Sequence, residues 1–153
     1  MSQILLIRYL RFWSRIPDPP DSLLRLITSV DNCRRLALLA ESNIGDGAEV
    51  VALSEVAALD DHTAEVAFVV HDEWQRLGLG TTLAIRTLRA AEARGFDQFV
   101  AEVLLDNVGV RRLLDRGGVV VSTNTRRGVS EVRFVRRRPD QEDEMRYSFR
   151  VDH

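Results

Sequence analysis

The chain has 153 residues, 45% of them apolar, and a formal charge of −2 at pH 7. That is room for one domain with a proper core and too little for two. The near-neutral balance removes any general attraction to nucleic acid or to an anionic membrane, so functional signal must come from local patterns.

From the N-terminus, Ile4 to Trp13 carries apolar side chains at helical spacing, interrupted by Arg8 and Arg11, with no small-residue cleavage site after it. It reads as a helix rather than a leader, and no run approaches the ~20 apolar residues of a membrane span. "PDPPD" (Pro17 to Asp21) stops it, because proline lacks the amide donor and clashes with the preceding turn. A second helix is expected from Asp21 or Ser22. Cys33 is the single cysteine, so no internal disulfide forms and a reducing, cytoplasmic setting is expected. A small buried filler is its expected role. His62, His71 and His153 show no ligand spacing, and no metal site is expected.

"RLALLAE" (from Arg35) and "VVALSEVAAL" (from Val50) flank a turn-rich segment and read as a β-hairpin. "TAEVAFVV" (Thr63 to Val70) is a third strand. Leu79 to Arg94 turns helical, with Leu79, Leu83, Ala84, Leu88 and Ala91 near one face and Gly95 placed to end it in a left-handed turn. "FDQFVAEVLL" returns as a strand. "DNVGVRRLLDRGG" reads as a helix entered at Asp106 or Asn107 and closed by Gly117 or Gly118, and two strands flanking "NTRRG" make a closing hairpin. The order predicts an α/β sandwich, a mixed sheet covered by helices, filling residues 1–138, with residues 139–153 as a charged tail.

The junction "WQRLGLGTT" carries the sharpest signal. A helix start exposes unpaired N–H groups and partial positive charge, and glycines let the backbone approach a ligand closely. Gly78 and Gly80, with the amides of Leu77, Leu79 and Thr81, can form a concave anion site that the side chains of Gln75 and Arg76 would extend. One phosphate fits, and a diphosphate is the natural larger guest. On spacing alone, a tight strand-to-helix turn with no ligand explains the glycines equally well. There is no third glycine for a dinucleotide fingerprint and no G-K-[ST] for a nucleotide P-loop.

In its surroundings the loop says more. "AEVAFVVHDEWQRLGLGTTLAIRTLRAAEARGF" resembles the acyl-CoA-binding motif of the GNAT superfamily of N-acetyltransferases, whose Q/R-x-x-G-x-G/A signature is met by Gln75, Gly78 and Gly80. "FVAEVLLDNVGVRRLLDRGG" resembles the family's next segment, a strand, an asparagine and a helix ending in glycine. The likeness runs from about Ala37 to Val121, and "RYLRFW" and "VAEVLLDN" look most like bacterial protein-lysine acetyltransferases (Pat-type), including those fused to CoA-ligase or cyclic-nucleotide-binding modules.

The resemblance implies a three-layer GNAT-like fold with a mostly antiparallel sheet. Acetyl-CoA is then the cosubstrate, its diphosphate on residues Gln75, Arg76, Leu77, Gly78, Leu79, Gly80 and Thr81. Its pantetheine arm would run along Phe68, Val69 and Val70, and Asn107 occupies the family's asparagine position. The acceptor is an amine, a protein lysine before a small molecule. A lysine reaches neutral pH protonated, so a general base is required. Glu65 falls where the family's lysine acetyltransferases often carry one; a carboxylate is unusual inside an apolar strand, and small Ala67 beside it leaves room for a substrate. The bland reading is a glutamate at a solvated strand end, and Glu55 on the neighbouring strand is the rival. The tyrosine that many members use to protonate the leaving thiolate is replaced by Leu114, which leaves a catalytically weak or inactive acyl-CoA-binding module as the alternative.

Little precedes Arg8 where the family opens with a strand and a long helix, so the first strand is either absent or supplied by "SQILLI"; an exposed edge there would favour a homodimer. Arg126, Arg127, Arg133, Arg136, Arg137 and Arg138 make the last hairpin basic, but an acidic run follows, and a solvated face is expected rather than a nucleic-acid or protein-docking surface.

Overall fold

The computed structural model describes residues 29–42 and 49–138. The expected N-terminal helices, the question of a first strand and the charged tail lie outside the described residues. Six strands and two helices follow in order: β1 (Arg35–Ser42), β2 (Glu49–Ala58), β3 (Thr63–Val70), α1 (Leu79–Glu92), β4 (Gln98–Leu104), α2 (Val108–Gly117), β5 (Gly118–Arg126) and β6 (Val129–Arg136). They form one sheet in the order β1-β2-β3-β4-β6-β5, antiparallel throughout except where β4 lies parallel to β3.

Local chemistry sets the turns. Asp31 Oδ1 accepts the N–H groups of Cys33, Arg34 and Arg35 at 2.8–2.9 Å and launches β1. Asp60 does the same between β2 and β3, accepting from His62 at 2.8 Å and Thr63 at 2.6 Å. The β5–β6 turn has positive φ at both central residues, Arg127 (50°) and Gly128 (81°), which matches the twist of the strands it joins. Gly95, at φ 99°, closes α1 as the sequence predicts, donating to the Glu92 carbonyl while Phe96 donates to that of Ala91. At the β5 entry, a Cβ on Gly118 would stand 2.6 Å from Phe134 and 3.2 Å from the Leu114 carbonyl, so only glycine fits.

The side chains of β2, β3, β4 and β6 alternate. Ser54, Val56, Ala64, Val66, Phe99, Val103 and Phe134 are buried on the face carrying Leu88 of α1 and Leu114 of α2, with the rings of Phe99 and Phe134 5.7 Å apart. Two polar ties hold α1 down. Buried Ser54 Oγ lies 2.6 Å from Thr87 Oγ1, and Arg136 Nε donates to Glu92 Oε2 at 2.6 Å. Leu53 and Val100 are buried on the opposite face. The sequence expectation for Cys33 is corrected: it is exposed, because it sits in the turn that Asp31 organises and not in a strand.

Candidate active site

The parallel β3–β4 contact is short. It runs Thr63–Gln98, Ala64–Phe99 and Glu65–Val100, and then β4 pairs with β6 alone. Beyond Glu65 the two strands part, and β3 keeps a partner only on its β2 side. The hydrogen bonds decide which β3 groups face the gap. The His71 amide donates to the Val51 carbonyl, and the Asp97 and Gln98 amides donate to the His62 carbonyl. Odd positions therefore turn their main chain to β2 and even positions turn theirs to β4. Phe68 and the Val70 amide offer the open edge, whereas Val69 is turned towards its β2 partner Leu53. Of the three residues expected to line a pantetheine arm, two present main-chain groups to the gap and Val69 does not.

At the end of β3, a one-turn 3₁₀ segment (Asp72–Trp74) leads into the glycine junction. Arg76 (φ 61°) and Gly78 (φ 86°) are left-handed on either side of Leu77, an alternation that turns successive N–H groups inward. Gly78 is the N-cap of α1; no side chain caps that helix and no acidic residue stands in its first turn. The Thr82 amide makes the first bond, to the Gly78 carbonyl at 3.0 Å, so the amides of Leu79, Gly80 and Thr81 have no partner inside the helix. An uncapped start with positive partial charge suits an anion. The two glycines serve different needs. Gly78 supplies a backbone angle that side chains disfavour; Gly80 lies close to its neighbours, and a Cβ there would meet Val70 at 3.4 Å and Leu113 at 3.9 Å.

Two expected ligand side chains are otherwise engaged. Gln75 Nε2 donates to the Val70 carbonyl and to Asp72 Oδ1, both at 3.0 Å, and so braces the loop against β3 instead of extending the anion site. Asn107 Oδ1 accepts the Val110 amide at 3.1 Å as the N-cap of α2. Arg76 and Leu77 are exposed at the loop surface. Leu114, at the tyrosine position, is 5% exposed and belongs to the core.

Glu65 projects from the face opposite the two helices, where the β3–β4 gap begins. Burial first, then the charges of Glu102 and Glu131, push its carboxyl up from 4.5 to about 7. Burial also raises Glu55, the rival, but the Arg35 guanidinium pulls it back. Glu102 and Glu131 are the residues that the reading of the sequence missed. The signal was present in "VAEVLL": a glutamate inside an apolar strand, the pattern that singled out Glu65.

The uncapped start of α1 and the Glu65 carboxylate thus stand at the two ends of the open β3 edge. Residues 3–118 match the model of the Acetyltransferase (GNAT) family. The chain belongs to the GNAT acetyltransferase family. A stretch of 57 residues of this GNAT chain is 42% identical to acetyltransferase Pat of Mycolicibacterium smegmatis, covering 37% of the chain and 17% of that relative. In structure this acetyltransferase resembles the GNAT domain of S. lividans PAT, with TM-score 0.68 and 26% identity over 85% of the chain and 77% of that domain. It shares its fold with YncA of Salmonella typhimurium, solved with acetyl-CoA, at TM-score 0.64 and 18% identity over 91% and 90% of the two chains. Among the described residues no helix is long and apolar enough to cross a membrane.

Proposed function

We propose that this GNAT domain transfers the acetyl group of acetyl-CoA to the side-chain amine of a protein lysine. The observation that carries the reading is the uncapped start of α1 lying against Val70, at the end of a β3 edge that opens at Glu65. The likeness to Pat supports a lysine acceptor, and YncA's bound acetyl-CoA supports the donor.

The chain's groups divide the work. The amides of Leu79, Gly80 and Thr81 hold the donor's diphosphate, far from the reacting carbon; the open edge formed by Phe68 and the Val70 amide aligns the arm beyond it. Such orientation contributes on the order of 7–11 kcal/mol in well-aligned reactions. The Val70 amide polarises the thioester carbonyl, and loss of one such donor typically costs about 10²–10³ in rate. Acetyl-CoA supplies an acyl carbon activated by a thiolate leaving group. Glu65 takes the ammonium proton directly or through water, and a proton affinity near neutrality suits a general base. Leu114 offers no proton, so water protonates the departing thiolate.

A thiol-release assay with acetyl-CoA over lysine peptides and small amines tests the reading. Lysine peptides are expected to turn over fastest, and Glu65→Gln is expected to cut turnover well over tenfold at pH 7 with coenzyme A affinity kept. Full turnover in Glu65→Gln would remove Glu65 from the mechanism, and no thiol release with any amine would overturn the function.

A further inference from the structure

Four glutamates lie on the sheet face away from the helices. Counting by register, Glu55 on β2 stands opposite Ala67, two residues from Glu65 on β3. Glu65 stands opposite Val100 on β4, and Glu102, two residues on, stands directly opposite Glu131 on β6. Directly opposite neighbours on one face of an antiparallel pair such as β4–β6 have Cβ atoms roughly 5 Å apart. Like charges directly opposite destabilise a sheet, so the Glu102–Glu131 pair works against the fold. Glu102 Oε2 is also buried without a hydrogen-bond partner, which costs further free energy.

The cations that register places on this face in the described strands are Arg35 on β1, Arg133 on β6 and, opposite Val129, Arg126 on β5. Arg35 acts on Glu55, and Arg133 Nε reaches Glu131 Oε1 at 3.2 Å. Among the described residues, no cation pairs with Glu102.

Taking Glu65 as the base, as proposed above, we propose that Glu102 and Glu131 are positioning residues that face Glu65 with negative charge, so that it meets the acceptor ammonium as a stronger base than an ordinary carboxylate. Neither needs to touch the donor or the reacting amine. Glu102 acts from the adjacent strand. Glu131 acts from one strand further, through a charge that Arg133 partly offsets. The direction of the shift at Glu102 itself, upward through burial and then Glu131, agrees with one field shared across the three strands.

The test is an NMR titration of ¹³C-glutamate-labelled chain, with the Glu65 signal assigned by its loss in Glu65→Gln, run beside kcat/KM against pH. Glu102→Gln is expected to lower the Glu65 midpoint, and the acid limb with it, by about half to one pH unit. Glu131→Gln is expected to lower both by less. Arg133→Gln is expected to raise both, and damage to the fold would not produce opposite signs. Glu131 and Arg133 are partly exposed, so their variants keep the test open if Glu102→Gln does not fold. A Glu65 midpoint unmoved in the folded glutamine variants, or moved the same way by all three, would overturn the proposal. If the midpoint moves as expected while Glu65→Gln keeps full turnover, the base assignment fails and the charge coupling stands. If Glu65→Gln is inactive and the midpoint stays put, the coupling alone fails.

Discussion

Glu65, the base proposed above, carries a stability cost that depends on pH. Its folded-state affinity for a proton is raised, from 4.5 to about 7, so its favourable contribution is fully present below pH 4.5 and is lost as pH rises through about 7. Glu65→Gln, which never ionises, escapes that loss. Urea midpoints of the variant and the parent are expected to coincide near pH 4.5 and to separate by pH 8 in the variant's favour, by on the order of 1 kcal/mol after solvent screening. The two loop glycines differ on the same scale. Gly78→Ala forces a side chain into left-handed backbone and is expected to cost about 1–2 kcal/mol. Gly80→Ala adds a methyl at contact distance from Val70 and Leu113 in the first turn of α1, at ordinary helical backbone angles, so its urea midpoint is expected to stay close to that of the parent.

At the scale of elements, the decisive feature is a strand with one partner too few. β3 is paired with β2 along its length but with β4 only from Thr63 to Glu65. Unpaired edge groups exchange with solvent, and paired ones do not. Amide hydrogen exchange is therefore expected to be fast at Phe68 and Val70 and slow at Val69 in the free protein. Saturating acetyl-CoA is expected to slow Phe68 and Val70 and leave Val69 unchanged. Equal protection of all three without ligand would mean that the gap is closed in solution.

The whole molecule carries all 21 of its cationic side chains as arginine and contains no lysine. Guanidinium groups stay protonated and offer no nucleophilic amine at neutral pH. Intact-mass spectrometry after incubation with acetyl-CoA is expected to show no acetylated lysine side chain, so any acetyl carried on a lysine in an assay belongs to the acceptor. The charge layout is also two-sided. The helix face presents uncapped amides at α1, and the opposite face presents carboxylates, a layout that on the function proposed above would draw an anionic donor and a cationic acceptor to different sides.

Periodicity and turn chemistry were enough to read the elements, since alternation in "TAEVAFVV", the glycine at 95 and the Asn107 cap are local properties of a few neighbouring residues. The glycine junction was legible for the same reason. Which side chains are free to act was not. Gln75 is spent on the Val70 carbonyl through the fold of the loop, and Val69 turns to β2 through a contact fixed only when the strands pair. Glu65, Glu102 and Glu131 are up to 66 positions apart in a chain of 153, and only the pairing of β3 with β4 and of β4 with β6 puts their charges on one face. Electrostatic coupling depends on distance in space, which sequence separation does not report.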